Sequence, residues 1–178
     1  EIKEELIKNL YLEENDLIFV IAGKKLITKT SLGALRCKLA RDLDLIKKGD
    51  YKFLWVTDFP SFEWSEEENR FVACHHPFTA PKDEDIDKLL TDKEHCYSKA
   101  YDIVCNGYEA GGGSIRIHNA DVQEKMFEAL ELTKEDIEEK FGFFVNAFKY
   151  GTPPHGGLAI GLERLTMFRF NIDDMRLL

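Results

Sequence analysis

The chain predicts an α+β fold, an antiparallel sheet flanked by helices. Two observations carry that expectation. Short aromatic and β-branched runs alternate with polar residues and are separated by acidic or Gly/Pro turns, the pattern of antiparallel strands. Between and after them, apolar residues recur at helical spacing behind capping residues. No internal repeat or low-complexity tract is present.

Taken in order, EIKEELIKNLYL places Ile2, Leu6 and Leu10 at helical spacing among charges. LIFVIAG, closed by Gly23, reads as a buried strand. SLGALRCKLARDLDLI repeats Leu32, Leu35, Leu39 and Leu43, an amphipathic helix with Ser31 as its N-cap. Lys24, Lys25 and Lys29 fall on the loop before it and face water. These elements make residues 1–50 the tail of a small module, too little to fold alone; residues 51–178 form the second domain. FLWVTDF reads as a strand, and SFEWSEEENRFVACHHPFTAP as a hairpin about an acidic turn. PKDEDIDKLLTDKEH is polar, helical or loop-like, and solvated. SKAYDIVCNGYE alternates as a strand, SIRIH is another, and NADVQEKMFEAL is a helix capped by Asn119 or Asp121. LTKEDIEEKFGFFVNAFKYG gives one or two more helices closed by Gly151, with the aromatic part packing on the sheet. TPPHGGLAIGLERLTMFRF runs turn, strand, glycine, helix.

Composition bounds the function. At 178 residues and 44% hydrophobic content a real core is available. A formal net charge of −9 argues against a freestanding nucleic-acid binder. There is no long apolar run and no signal peptide, so no membrane partner is expected. The chain begins without Met and reads as a piece of something longer. Cys37, Cys74, Cys96 and Cys105 form no CxxC, which suits a reducing, cytoplasmic setting. Cys74, His75 and His76 with His95 and Cys96 are zinc-ligand types, but their spacing fits no standard zinc pattern. Adjacent His75 and His76 on an extended strand would point to opposite faces.

Two stretches carry chemistry. In GYEAGGGSIRIH three glycines lie between Glu109 and Arg116 in what otherwise reads as strand. Glycine inside a strand marks a bulge, or a close approach by a ligand or another backbone. Asp102, Asn106 and Glu109 suit a hard cation such as Mg²⁺ carrying a polyphosphate. Arg116 suits bidentate pairing with a carboxylate or phosphate. A bulged hairpin with solvated charges fits the same spacing. In GLAIGLERLTM a small-residue strand ends at Gly161, and Arg164 falls in the first turn of the next helix. The helix dipole disfavours a cation there, so Arg164 is either aimed at an anion or simply faces solvent.

GLAIGLERL resembles motif 3 of the class II aminoacyl-tRNA synthetases. With FLWVTDFPSFEW, HHPFT, AYDIVCNGYEAGGGSIRIH and FGFFVNAFKYGTPPHGG, in that order, the chain closely resembles the bacterial type of aspartyl-tRNA synthetase. The resemblance implies a partial class II catalytic domain over 51–178, including motif 3. It makes residues 1–50 the C-terminal end of the insertion domain. It implies ATP-dependent activation of L-aspartate with Mg²⁺, transfer to tRNA(Asp), and a homodimer in the full-length enzyme. By matched position Arg116 and His75 would bind aspartate. Glu109, Gly161, Leu162, Glu163 and Arg164 would bind ATP, with Glu109 and Arg164 catalytic. Glu109 and Asp102 would hold Mg²⁺ through ATP. The glycine strand would floor the adenylate pocket.

The implied chemistry joins the aspartate α-carboxylate to the α-phosphorus of ATP as pyrophosphate leaves. Two anions must meet, so positioning and electrostatics do most of the work and no side-chain nucleophile is needed. Motifs 1 and 2 and the anticodon-binding barrel are not found, so this chain is expected not to charge tRNA alone. The terminal FRFNIDDMRLL looks more like the phenylalanyl enzyme. A non-discriminating aspartate–tRNA(Asp/Asn) ligase and a non-catalytic amino-acid or adenylate-binding module are the alternatives.

Overall fold

The computed structural model describes residues 2–47 and 49–172. Residues 173–178 of the atypical C-terminal string lie outside them. Contacts divide the chain into two compact units, Glu1–Asp50 and Tyr51–Leu178.

The first unit holds α1 (Ile2–Asn9) and α2 (Lys25–Asp42). α2 starts six residues before the expected cap: Lys24 is its N-cap and makes no side-chain cap bond, and Ser31 lies inside the helix. Lys25 and Lys29 therefore belong to the helix, not to a loop. The LIFVIAG segment is not a strand. Its Leu17 and Val20 are exposed, because a strand needs a neighbour for its backbone groups and none of the described strands lies within this unit. No residue of α2 is buried.

The second unit is built on a four-stranded antiparallel sheet in the order β1-β4-β5-β6. Its strands are β1 (Phe53–Val56), β4 (Ala100–Cys105), β5 (Tyr108–Ile115) and β6 (Gly156–Ile160). A two-residue Asn106–Gly107 turn joins β4 to β5, both residues at positive φ (51° and 85°) as this tight hairpin requires. Asn106 Oδ1 accepts from the Lys52 N–H at 2.8 Å and holds the turn against the start of β1.

β5 runs straight through the glycines. A bulge between Ile103 and Val104 changes its register: Ile103 faces Gly111, but Val104 faces Glu109. Residues directly opposite share a face, so the extra residue, Ala110, brings Glu109 to the face of Asp102. Unbroken alternation would have turned Glu109 away.

The hairpin β2 (Phe62–Ser65) and β3 (Arg70–Ala73) forms a separate two-stranded sheet. Its Phe62 packs with Ala80, Leu89, Cys96 and Ile117, and with Met126, Ala129 and Leu130 of α4 (Ala120–Ala129) and its end. Asn119 caps α4, its Oδ1 accepting from the Asp121 and Val122 N–H groups at 2.8 and 3.2 Å. Residues 81–95 fold into two single 3₁₀ turns about α3 (Lys88–Thr91), and they are not merely solvated. Leu89 is fully buried, and buried Asp85 accepts from Lys88 Nζ at 2.6 Å and from the Tyr97 N–H at 2.9 Å.

LTKEDIEEKFGFFVNAFKYG forms one helix, α5 (Lys134–Phe148), opened by a Thr133–Asp136 capping box. Its aromatics do not cover the sheet. Phe141 and Phe144 pack on Phe78, and Phe141 stacks on Phe127 of α4, while Phe143 is exposed. α6 (Leu162–Phe170) follows β6 through Gly161 and ends at Asn171 in the left-handed conformation. The Tyr51 hydroxyl donates to the Phe168 carbonyl at 2.7 Å, which ties the end of α6 to the start of β1.

Candidate active site

Each glycine of the run answers to a different neighbour. A Cβ at Gly111 would lie 2.5 Å from the Ala159 carbonyl oxygen, and one at Gly113 would collide with the Gly157 carbonyl. Both glycines therefore let β6 lie close. A Cβ at Gly112 would instead strike Asp102 Oδ1 and come within 3.2 Å of Glu109 Oε1. Two carboxylates thus converge on one bare backbone position.

Past the glycines the strand is gripped from both sides. The Arg116 N–H donates to the His155 carbonyl at 2.9 Å, and the Ile117 N–H to the Phe78 carbonyl at 2.9 Å. The second bond draws residues 75–79 alongside Arg116. At the other end the Gly161 N–H donates to the Ala110 carbonyl at 3.0 Å and delivers the first turn of α6 beside Glu109.

These anchors enclose a cavity of about 490 Å³ lined by Asp102, Glu109, the three glycines, Ser114 and Arg116. His75, His76, Thr79, Gly161, Glu163 and Arg164 complete its walls. All but two of the expected site residues meet there. Leu162 does not line the cavity and is 72% exposed, and Asn106 lies away from it in the β4–β5 turn, its Oδ1 taken by the Lys52 N–H.

His75 and His76 both reach the cavity, because they lie on a bend beyond β3 and not on an extended strand with alternating faces. His75 packs edge-on against Phe59, with centroids 4.7 Å apart. His76 Nδ1 accepts from the Phe78 N–H at 3.2 Å. Partial burial, then the charge of Arg116, hold the His76 imidazole below its usual range, so it is neutral at pH 7 and leaves Arg116 as the cation there. Sequence reasoning missed His76, Thr79 and Ser114. Alternation from Gly112 through Ser114 to Arg116 was the available signal for Ser114.

Among the described residues no three His, Cys, Asp or Glu side chains gather as a metal site. The zinc-type residues go separate ways: His95 Nδ1 lies 2.8 Å from Asp92, and buried Cys96 donates weakly to Ser61. Burial pushes the Cys96 and Cys105 thiols up, which keeps them protonated.

A family model for class II tRNA synthetases (D, K and N) matches residues 4–177. The chain belongs to this family. Among its class II relatives, the aspartate–tRNA ligase of Staphylococcus carnosus (strain TM300) is 57% identical over 164 residues, 92% of this chain and 28% of that protein. The aspartate–tRNA ligase of Clostridium beijerinckii is 51% identical over 177 residues, 99% of this chain and 30% of that protein. The chain therefore spans under a third of the length of these class II relatives. An aspartyl-tRNA synthetase structure from Entamoeba histolytica aligns with a TM-score of 0.52 over 97% of this chain and 29% of that one. At 22% identity, that likeness supports the class II fold alone. No helix among the described residues is long and apolar enough to cross a membrane.

Proposed function

We propose that this chain is the aspartate- and ATP-binding part of an aspartate–tRNA ligase. It serves the formation of aspartyl-adenylate and, in the longer protein, transfer to tRNA(Asp) by a homodimer. The observation that carries the reading is the single cavity holding two carboxylates at one bare glycine, an arginine at each end and a glycine floor.

Arg116 receives the aspartate side-chain carboxylate, with His75 beside it. A guanidinium fork matches a carboxylate bidentately, and an amide in its place leaves the fork unsatisfied, so asparagine is rejected. The glycines let the adenylate lie against the backbone. Arg164, with Gly161 and Glu163, holds the nucleotide; Leu162 contributes backbone only. Arg164 and Arg116 offset the repulsion between the α-carboxylate and the phosphates as the mixed anhydride forms. The residues fit Mg²⁺ as ATP carries it. That ion keeps most of its shell from phosphates and water and needs only one or two carboxylates, which Glu109 and Asp102 supply. Bound there, Mg²⁺ would screen the polyphosphate charge. Insertion-domain character for residues 1–50 and catalytic-domain character for 51–178 belong to the same proposal.

Calorimetric titration with non-hydrolysable aspartyl, asparaginyl and phenylalanyl adenylate analogues tests it. The aspartyl compound should bind best, and Arg116→Leu should remove that preference. Equal binding of the phenylalanyl compound would sink the assignment.

A further inference from the structure

Arg164 is a cation in an unfavourable place. It stands in the first turn of α6, at the positive end of the helix dipole. Among the described residues no ion pair includes it. Two uncharged groups hold it instead. Its guanidinium carbon lies 5.2 Å from the centroid of the Tyr108 ring. Its Nη1 lies 3.9 Å from Met167 Sδ, one turn along the helix, and Met167 is buried. Tyr108 is the residue before Glu109. It lies opposite Cys105, whereas Glu109 lies opposite Val104, so the two side chains leave β5 on opposite faces.

We propose that Tyr108 is a positioning residue for Arg164. Its ring face fixes the guanidinium at the cavity wall by a cation–π contact in place of an ion pair. The choice of partner matters chemically. A carboxylate would occupy the donor fork and neutralise the charge before any ligand arrived. A ring attracts the guanidinium through its quadrupole and takes up none of its N–H donors, so charge and donors stay available for a polyphosphate. The same strand then serves the nucleotide twice: Glu109 on one face for the cation, Tyr108 on the other for the arginine. This inference rests on the nucleotide reading of the cavity given above.

The test compares Tyr108→Phe, which keeps a π-face, with Tyr108→Leu, which removes it. The first readout needs no ligand. In arginine-labelled chain, the Arg164 Nε–H resonance, assigned by its loss in Arg164→Lys, should carry a ring-current shift. Tyr108→Phe should retain that shift and Tyr108→Leu should abolish it. The second readout is titration with ATP and Mg²⁺. Affinity should fall about five-fold in Tyr108→Leu and stay within about two-fold in Tyr108→Phe. An unmoved Arg164 resonance in Tyr108→Leu, or equal weakening by Phe and Leu, overturns the proposal. If the resonances behave as expected but the unaltered chain binds no ATP, the positioning of Arg164 by Tyr108 is upheld and the nucleotide reading of the cavity falls.

Discussion

Gly112 and Gly113 are neighbours of one residue type with opposite duties, and substitution should separate them. A methyl at Gly113 meets the backbone carbonyl of Gly157, which cannot turn aside without parting β5 from β6. Gly113→Ala should therefore destabilise the chain by roughly 2 kcal/mol or more. A methyl at Gly112 meets the end of the Asp102 side chain, which can rotate. Gly112→Ala should leave stability within about 0.5 kcal/mol while weakening ATP–Mg²⁺ binding, because the displaced carboxylate is one of the two that converge there. Thermal melts and nucleotide titration on both variants check this. Equal melting losses would mean that Asp102 is held more firmly than its position suggests. The need for glycine could be read in the sequence, but the separate reason at each position could not, since only strand pairing shows which neighbour stands opposite.

The elements divide by how local their causes are. Alternation in FLWV and AYDIVC and the Asn119 cap are written within a few residues, and the folded chain has them; the Asn-Gly turn is as local, but SKAYDIVCNGYE read as one strand through it, and the chain breaks there into β4 and β5. LIFVIAG failed as a strand because an apolar string states a preference for burial without naming a partner. The bulge that brings Glu109 beside Asp102 depends on strand register, which no short window contains. The polar 81–95 segment hid its role for another reason: its anchor is a charged residue. Burial alone would push the Asp85 carboxyl up, but the Lys88 ammonium, the Tyr97 N–H and the Lys82 charge outweigh it and hold the carboxyl below its usual range. A carboxyl with a lower pKa folded than unfolded stabilises above the unfolded value of about 3.9, and that contribution is lost as pH falls through the folded value. Asp85→Asn should cost roughly 2 kcal/mol at pH 7. The gap in Tm from the parent should narrow when melts are repeated near pH 3. A gap of the same size at both pH values would show that the carboxylate charge is not what anchors the segment.

For the whole molecule, the two faces of the main sheet differ in kind. One is the polar cavity. On the other, Trp55, Ile103, Gly111 and Ile160 form a single cross-strand row, with Leu158 in the next row opposite Gly113. Trp55 and Ile160 are each more than half exposed. An apolar face beside an open edge strand is adhesive. Leu158→Glu combined with Ile160→Glu should raise the concentration at which light scattering reports association, with adenylate-analogue binding preserved. Unchanged scattering would place the adhesive surface elsewhere. The opposite face is organised by length as well as by charge. Glu109 and Arg116 stand at the two ends of one strand run, roughly 20 Å apart along it at about 3.3 Å per residue. β5 is therefore a ruler with a parity rule. Glu109 and Arg116 are an odd number of residues apart, so only the bulge puts both on one face. Removing one glycine would let the bulge close, shorten the interval by a single notch and keep both on the cavity side, the gauge set for a shorter ligand. A deletion of two would turn either the acid or the arginine to the wrong side of the sheet.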